Sequence, residues 1–184
     1  MPPLTFRPLA ESDLPLLAGW LAAPHVLTWW RDPAELEQVR AKYLPRIHRV
    51  DATEVFVIVE GARDIGIIQR YRLDAHPEWH RVLREAGLDR HAAGLDYFIG
   101  ESDRLGKGLG SCAVRQFVDD LFADWPDVEA VAVTPQAQNR ASCRVLEKAG
   151  FEAAWSGTLD TDDPADSGLA VLYVHNRRPT TPAP

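Results

Sequence analysis

Two periods of hydrophobicity alternate along this chain, and each change of period predicts a boundary between a strand and a helix. Apolar residues at every second position, or in a compact run such as Val55–Val59, predict strands, and apolar residues three and four positions apart predict amphipathic helices. The predicted strands are Leu4–Leu9, Glu54–Glu60, Ile65–Tyr71, residues 95–100, Val128–Val133, Phe151–Leu159 and Leu169–His175. The predicted helices are one that follows a cap at Ser12 or Asp13, one over Asp32–His48 with Asp32 as its cap and Pro33 at its first position, one over about 108–124 and one over Asn139–Ala149.

The segments between these elements are predicted to be irregular. His25–Trp30 is expected to be a loop rich in aromatic surface, and residues 74–93 a polar excursion with a short helix over Trp79–Glu85. The acidic stretch 160–167 is typical of a mobile hairpin loop, and we expect residues 179–184 to form a flexible tail. The rest of the chain, residues 1–178, is predicted to be a single domain.

The composition of the chain is typical of a folded protein with one hydrophobic core. The chain has 184 residues, of which 46% are hydrophobic and 26% charged, enough for one well-buried core. No apolar stretch reaches the roughly 18 residues that span a bilayer, and a net charge of −7 argues against a nucleic-acid surface. We therefore expect a cytoplasmic protein, monomer or homodimer, that binds neither nucleic acid nor membrane. Cys112 and Cys143 lie at apolar positions of predicted helices, which indicates that they are reduced residues packed in the core and not metal ligands or a redox pair.

The run Leu-Gly-Lys-Gly-Leu-Gly-Ser at 105–111 separates a predicted strand from a predicted helix. Glycines in a strand-to-helix loop leave backbone N–H groups free to bind an anion such as a diphosphate. A plain strand-to-helix turn explains the same glycines. The loop follows the fourth strand, not the first as in a Rossmann fold, and Gly106-Lys107-Gly108 lacks the Gly-Lys-Ser or Gly-Lys-Thr ending of a phosphate-binding P-loop.

A second motif, Asn139 to Phe151 (Asn-Arg-Ala-Ser-Cys-Arg-Val-Leu-Glu-Lys-Ala-Gly-Phe), follows the fifth strand. With the glycine loop and the order of elements, it resembles the GNAT family of acetyl-CoA-dependent N-acetyltransferases. The resemblance implies an α/β (α+β) fold, with a mixed, mostly antiparallel sheet of about seven strands flanked by helices and splayed between strands 4 and 5. It implies that acetyl-CoA is bound by the loop, by the fourth strand and by the asparagine of the second motif. These residues are Tyr97, Phe98, Ile99, Leu105, Gly106, Lys107, Gly108, Leu109, Gly110, Ser111 and Asn139.

Within that family the chain is more closely similar to aminoglycoside 6′-N-acetyltransferases, from Leu4 to about Arg177. The matching pieces are Trp29-Trp30, Tyr43-Leu44-Pro45, Ile65-Gly66 with Gln69 and Tyr71, Gly94-Leu95-Asp96 and Leu105 to Gly110. This resemblance implies transfer of an acetyl group to a primary amine, with Asp96 binding the ammonium and helping to remove its proton. The substrate implied is a small cationic amine, an aminoglycoside whose 6′-amine attacks acetyl-CoA directly in a ternary complex.

Further residues are candidates for binding that substrate. Adjacent tryptophans cannot both face the same way on regular structure, so we expect one of Trp29 and Trp30 to line a pocket. Gln69 and Tyr71 are two positions apart on a strand and therefore share a face. The full set of candidates is Trp29, Trp30, Glu54, Gln69, Tyr71, Trp79 and Asp166.

Three departures from the family pattern bear on the activity. Leu105 stands where many members have Gln or Arg, Thr134 where the aminoglycoside enzymes often have an aspartate, and Leu146 where a tyrosine is the proposed general acid. A thiol with a pKa of about 8.5 can leave as a thiolate, so Leu146 indicates less dependence on a protein acid.

No metal is expected, because His76 and His80 lack the His-Glu-x-x-His arrangement of a zinc site. Two alternative functions stay open: acyl transfer to an N6-hydroxylysine of a siderophore or to another small amine, and a non-catalytic sensor that binds acyl-CoA.

Overall fold

The computed structural model describes residues 3–73, 84–85, 91–159 and 168–178. Its strands in these ranges are β1 Leu4–Pro8, β2 Glu54–Glu60, β3 Arg63–Arg72, β4 Ala92–Ile99, β5 Ala130–Val133, β6 Glu152–Leu159 and β7 Gly168–Asn176. Its α-helices there are α1 Leu14–Leu21, α2 Pro24–Trp30, α3 Leu36–Ile47, α4 Leu109–Asp124 and α5 Arg140–Ala149. Most of the predicted helix at 79–85, the acidic stretch 160–167 and the tail 179–184 lie outside the described residues.

The strands form one mixed sheet in the order β1-β2-β3-β4-β5-β7-β6. All neighbours are antiparallel except β4 and β5, which run parallel. These two strands pair only from Ala92 to Gly94 on β4 and from Ala130 to Ala132 on β5, although β4 continues to Ile99. The sheet therefore opens between them, which confirms the predicted fold class and the splay between strands 4 and 5.

Each face of the sheet is covered by helices. On one face, α4 and α5 pack through residues such as Leu109, Phe117 and Leu146 against the sheet, and Phe117 contacts Phe6 and Phe56 edge-to-face at 5.0 and 5.2 Å between ring centroids. On the other face, α1, α2 and α3 bury a second apolar cluster. Full burial of one such side chain is worth about 1.5–3 kcal/mol, so both layers stabilise the sheet. Among the described helices, none combines the length and the apolar character needed to cross a membrane.

The prediction of a loop at His25–Trp30 is wrong, because these residues form helix α2 with Pro24 at its first position. Proline is favoured there, since its missing N–H would have no helical partner and its φ already suits a helix. Thr28 Oγ1 donates to the carbonyl oxygen of Pro24 at 2.7 Å. The helix ends at Arg31, whose φ of 56° is left-handed. Three helices, not two, therefore separate β1 from β2.

The predicted start of α3 is also wrong. The helix begins at Leu36 after Glu35, four residues later than the cap that the sequence indicated at Asp32. Asp32 does not cap a helix because its carboxylate is buried and accepts hydrogen bonds from side chains of α2 and α3. A tertiary contact has replaced the local one.

Gly66 on β3 offers a test of how closely β3 and β4 approach. A Cβ at Gly66 would lie 2.1 Å from the carbonyl oxygen of Phe98, a backbone atom that cannot move away alone. We expect Gly66→Ala to lower the free energy of unfolding by about 2 kcal/mol or more. Unfolding in urea would measure this change in the free energy of unfolding. Gly19→Ala, at an open position in α1, is the control and should gain about 0.5–1 kcal/mol; equal effects of the two variants would contradict the packing described.

Candidate active site

A pocket of about 100 Å³ lies where β4 and β5 separate. Asp96 and Tyr97 of β4 reach it from opposite faces of the strand, because successive side chains on a strand alternate. Its other walls come from α2, from the segment that follows β5 and from the first turn of α5. The residues that line it are Trp29, Trp30, Asp96, Tyr97, Val133, Thr134, Pro135, Gln136, Asn139 and Ser142.

Asp96 is the carboxylate of this pocket. It is partly exposed there, and its Oδ2 accepts a hydrogen bond from Gln69 Nε2 at 2.9 Å. Tyr71 hydrogen-bonds to the same carboxylate, and its ring lies across Gly94, where a Cβ would come within 2.2 Å of it. Burial raises the pKa of Asp96, while Gln69, Arg46 and Tyr71 favour the ionised form. The prediction that Gln69 and Tyr71 share a face is confirmed, since both contact Asp96.

Both tryptophans of α2 line the pocket, so the expectation that only one would do so is wrong. The expectation failed because it did not foresee a helix, on which adjacent side chains lie about 100° apart. Trp30 is fixed on two sides: its Nε1 donates to Asp32 Oδ2 at 2.9 Å, and its ring meets Phe98 edge-to-face at 4.8 Å. Asp32 also accepts from Lys42 Nζ at 2.6 Å and from the hydroxyl of Tyr43 at 3.0 Å.

Along β4, the backbone N–H and C=O groups of every second residue face the opening. The N–H of Gly100 donates to the carbonyl oxygen of Ile65 on β3 at 2.8 Å. Because the direction of the N–H groups alternates along a strand, those of Tyr97 and Ile99 face β5. On this side His25 Nε2 lies 3.0 Å from the carbonyl oxygen of Ile99 and donates to it, since a carbonyl can only accept. Phe98 has its carbonyl against β3 and its side chain buried. The N–H groups of Tyr97 and Ile99 therefore face the opening, and the carbonyl of Phe98 faces β3.

The glycine loop is open at its surface. Gly106 and Gly108 have φ values of 72° and 78°, and a Cβ on either would meet no heavy atom within 4 Å. Gly108 caps α4 without a side-chain hydrogen bond among the described residues, so the first N–H groups of the helix, from Leu109 to Ser111, are available to an anion. Leu105 is 45% exposed and Lys107 is exposed as well. The residues present therefore fit a diphosphate.

Helix α5 links the loop to the pocket. A Cβ on Gly110 would lie 3.3 Å from Val145 on α5, which shows how closely α4 packs there. At the start of α5, Asn139 Oδ1 accepts from the N–H of Ser142 at 3.1 Å, so Asn139 caps the helix and lines the pocket at once. Ser142 Oγ lies 2.9 Å from the hydroxyl of Tyr97. Leu146, one turn further, is completely buried and cannot donate a proton.

Glu54 does not lie at this pocket. It is opposite Arg70 on β3, and Arg70 Nε donates to its Oε2 at 2.7 Å on the face of the sheet that α4 covers. Gln69 and Asp96 lie on the other face of the sheet, so Glu54 does not line the pocket beside them. Trp79 and Asp166 lie outside the described residues. In the described ranges, no group of three or more His, Cys, Asp or Glu side chains could hold a metal ion.

Sequence reasoning missed several residues of the site. Gln136 and Ser142 line the pocket without having been proposed, and Arg46 hydrogen-bonds Gln69 from α3. Ser142 lies inside the second motif, three residues after Asn139, and its position in the first helical turn was the available signal. Arg46 and Gln69 are 23 residues apart on different elements, and no pattern in the sequence joins them.

Comparison with known proteins places this geometry in a family. The family model described as "Acetyltransferase (GNAT) domain" matches residues 10–159. The chain is 32% identical over 179 residues to an aminoglycoside N(6′)-acetyltransferase type 1 of Klebsiella pneumoniae, and this match covers 95% of the chain and 84% of that protein. The chain belongs to the GNAT family of acetyltransferases.

Two solved structures show how far the likeness extends. A crystal structure of the aminoglycoside acetyltransferase AAC(6′)-Ib with coenzyme A and kanamycin has a TM-score of 0.80 and 30% identity, covering 95% of both chains. A structure of AAC(6′)-Ib with paromomycin and acetyl-CoA has a TM-score of 0.81 and 29% identity, covering 98% of this chain and 99% of the other. Nearly the whole fold is therefore shared with these enzymes.

Asp32 offers a test of the wall that carries Trp30. In Asp32→Asn a single carbonyl oxygen would face three donors, those of Trp30, Lys42 and Tyr43. At least one donor would lose its partner, and we expect the free energy of unfolding to fall by about 2 kcal/mol. Glu35→Gln, an exposed change that makes no helix-capping bond in the described structure, is the control for urea unfolding. A loss for Asp32→Asn no larger than for the control would show that the cluster does not stabilise the wall.

Proposed function

We propose that this protein transfers the acetyl group of acetyl-CoA to the 6′-amine of an aminoglycoside. The observation that carries the proposal is the Asp96 carboxylate, which lies in the pocket where β4 and β5 separate. Membership in the GNAT family and the extended similarity to AAC(6′)-Ib support it. Three parts of the chain would carry the reaction: the loop 105–111, the open edge of β4 and the pocket.

The loop would hold the diphosphate of acetyl-CoA, which supplies the activated acetyl group as a thioester. Backbone N–H groups from Gly106 to Ser111 meet the anion at the positive end of the α4 dipole. Beyond Gly94 the N–H groups of Tyr97 and Ile99 face an opening that β5 does not fill. Donors in this position could polarise a carbonyl in the opening, and Asn139 would border the arm of the same co-substrate.

Asp96 would bind the substrate ammonium and take its proton. An amine attacks only when neutral, so a base within hydrogen-bond reach is needed. Burial raises the pKa of Asp96 and so strengthens it as a base. Trp29 and Trp30 would supply aromatic faces near the cationic ring, a favourable environment for a cation. Because Leu146 is buried and apolar, the thiol leaves without a proton from that position, as its ordinary pKa of about 8.5 allows.

A matched pair of substrates tests the proposed acceptor. Neomycin and paromomycin differ at the 6′ carbon, which carries an amine in the first and a hydroxyl in the second. We expect release of free thiol from acetyl-CoA with neomycin and kanamycin, and a rate at least about 100-fold lower with paromomycin. NMR of the product should show acetylation at the 6′ nitrogen.

Two results would contradict the assignment. Turnover with hydroxylamines or other small amines but not with aminoglycosides would favour the siderophore-type activity. Binding of acetyl-CoA without turnover of any amine would favour a sensor.

Substitution of Asp96 separates chemistry from binding of the co-substrate. Asp96→Asn keeps the size of the side chain but removes its charge and basicity, so we expect kcat/KM for neomycin to fall about 100-fold or more. The affinity for coenzyme A by calorimetry should stay within about twofold. Asp119→Asn, an exposed carboxylate on α4, should leave both quantities unchanged. Wild-type kcat/KM in Asp96→Asn would exclude this residue as the base.

A further inference from the structure

A line of polar side chains runs behind Asp96 from the end of α3. Arg46 Nη1 donates to Gln69 Oε1 at 3.0 Å, and Gln69 Nε2 donates to Asp96 Oδ2 at 2.9 Å. At its other end, Arg46 Nε lies 3.3 Å from Asp51 Oδ2 and donates to it. The N–H of Thr53 donates to the second oxygen of Asp51 at 2.7 Å. Three elements, α3, β3 and β4, are thus joined by one series of hydrogen bonds.

Arg46 determines which way the Gln69 amide points. A guanidinium has only donors, so the carbonyl oxygen of Gln69 must face Arg46. The amide nitrogen is then directed at Asp96, where it can only donate. A donor prefers the ionised carboxylate, whereas a free amide could turn and present its oxygen to a protonated Asp96. The bond from Arg46 therefore makes Gln69 select for the carboxylate.

The two supporting side chains are well enclosed. Gln69 is 7% exposed, and the side chain of Arg46 is 14% exposed. The guanidinium carbon of Arg46 lies 5.2 Å from the ring centroid of Tyr43, and the residue is in the last turn of α3, where a positive charge is favoured. Bonds in such an enclosed setting are stronger than in water, and a missing partner is costly.

We propose that Arg46 is a positioning residue which, through Gln69, fixes Oδ2 of Asp96 and holds this pocket carboxylate ionised. The inference deepens the proposed function, in which Asp96 is the base that binds the amine. Gln69 in this arrangement supports Asp96 from behind and is not itself a contact for the substrate.

The charged and titratable groups around Asp96 predict the direction of a pH effect. Arg46 and Lys42 of α3 and Tyr71 of β3 favour its ionised form, and burial opposes it. Lys42 is held by Asp32 at 2.6 Å, and Tyr97 is adjacent on β4. Burial raises the pKa of Asp96, and the positive charge of Arg46 lowers it. Without Arg46 the pKa of Asp96 must therefore rise. The acid limb of kcat/KM then moves to higher pH.

Arg46→Met tests this inference with two readouts. We expect kcat/KM for neomycin to fall about tenfold at pH 6 and less than about threefold on the alkaline plateau. In the free protein, ¹³C NMR of the Asp96 carboxyl, assigned with Asp96→Asn, should show a titration midpoint at higher pH than in the wild type. Arg40→Met, the same change of charge on a different face of α3, should leave the titration unmoved. An unshifted Asp96 midpoint in Arg46→Met would overturn the proposal.

Gln69→Met tests whether Arg46 acts through Gln69, and it serves as well if Arg46→Met does not fold. We expect it to move the Asp96 titration in the same direction while Arg46 is still present. In the double variant, the shift should be smaller than the sum of the two single shifts. Full additivity, or no shift in Gln69→Met, would contradict the relay. Since the NMR titration needs no substrate, it decides the inference even if aminoglycosides prove not to be acetylated.

Discussion

The limited pairing of β4 with β5 is the constraint on which the rest of this structure depends. Only three residues of β4 pair with β5, and the strand then runs five residues further beside an opening. His25 binds the carbonyl oxygen of Ile99 there, and backbone N–H groups that face such an opening need a partner that water or a ligand can supply. The same opening lets Asp96 and Tyr97, on opposite faces of β4, reach one pocket.

Residues in a short stretch of helix α3 make two separate sets of contacts that support this pocket. Lys42 and Tyr43 bind Asp32, which in turn fixes Trp30 in the pocket wall. Arg46, one turn after Lys42, reaches Gln69 behind Asp96. One helix therefore anchors the pocket wall that carries Trp30 and also contacts, through Arg46, the amide behind the candidate base.

The individual strands and the glycine loop were predictable from sequence because local patterns determine them, whereas the mixed sheet and its splay were expected from the family resemblance. A compact apolar run identified β2, and the short turn after it identified β3. The glycines of 105–111 predicted an open loop between a strand and a helix, and in the structure Gly106 and Gly108 have left-handed φ values of 72° and 78°. Alternation along β3 also explains where Glu54 lies. Glu54 pairs with Arg70 across the two strands and lies on the same face of the sheet as Arg70, opposite to Gln69. That placement needed the register of β2 with β3, which the sequence alone does not contain.

Residues whose roles depend on tertiary contacts were not predictable. Asp32 has the signature of a helix cap, yet it is buried among Trp30, Lys42 and Tyr43, which come together only when α2 and α3 pack. Helix α2 was missed because its seven residues are too short to show a helical period. The assignment of residues 1–178 to a single domain stays a prediction.

A crystal structure of the protein with coenzyme A and kanamycin tests the central claim most directly. We expect the diphosphate oxygens to lie within about 3 Å of the backbone nitrogens between Gly106 and Ser111. We also expect the arm of the coenzyme to lie between β4 and β5, and the 6′-amine to lie within hydrogen-bond reach of Asp96. Coenzyme bound away from this opening, or an amine held by other carboxylates with Asp96 facing no ligand, would contradict it.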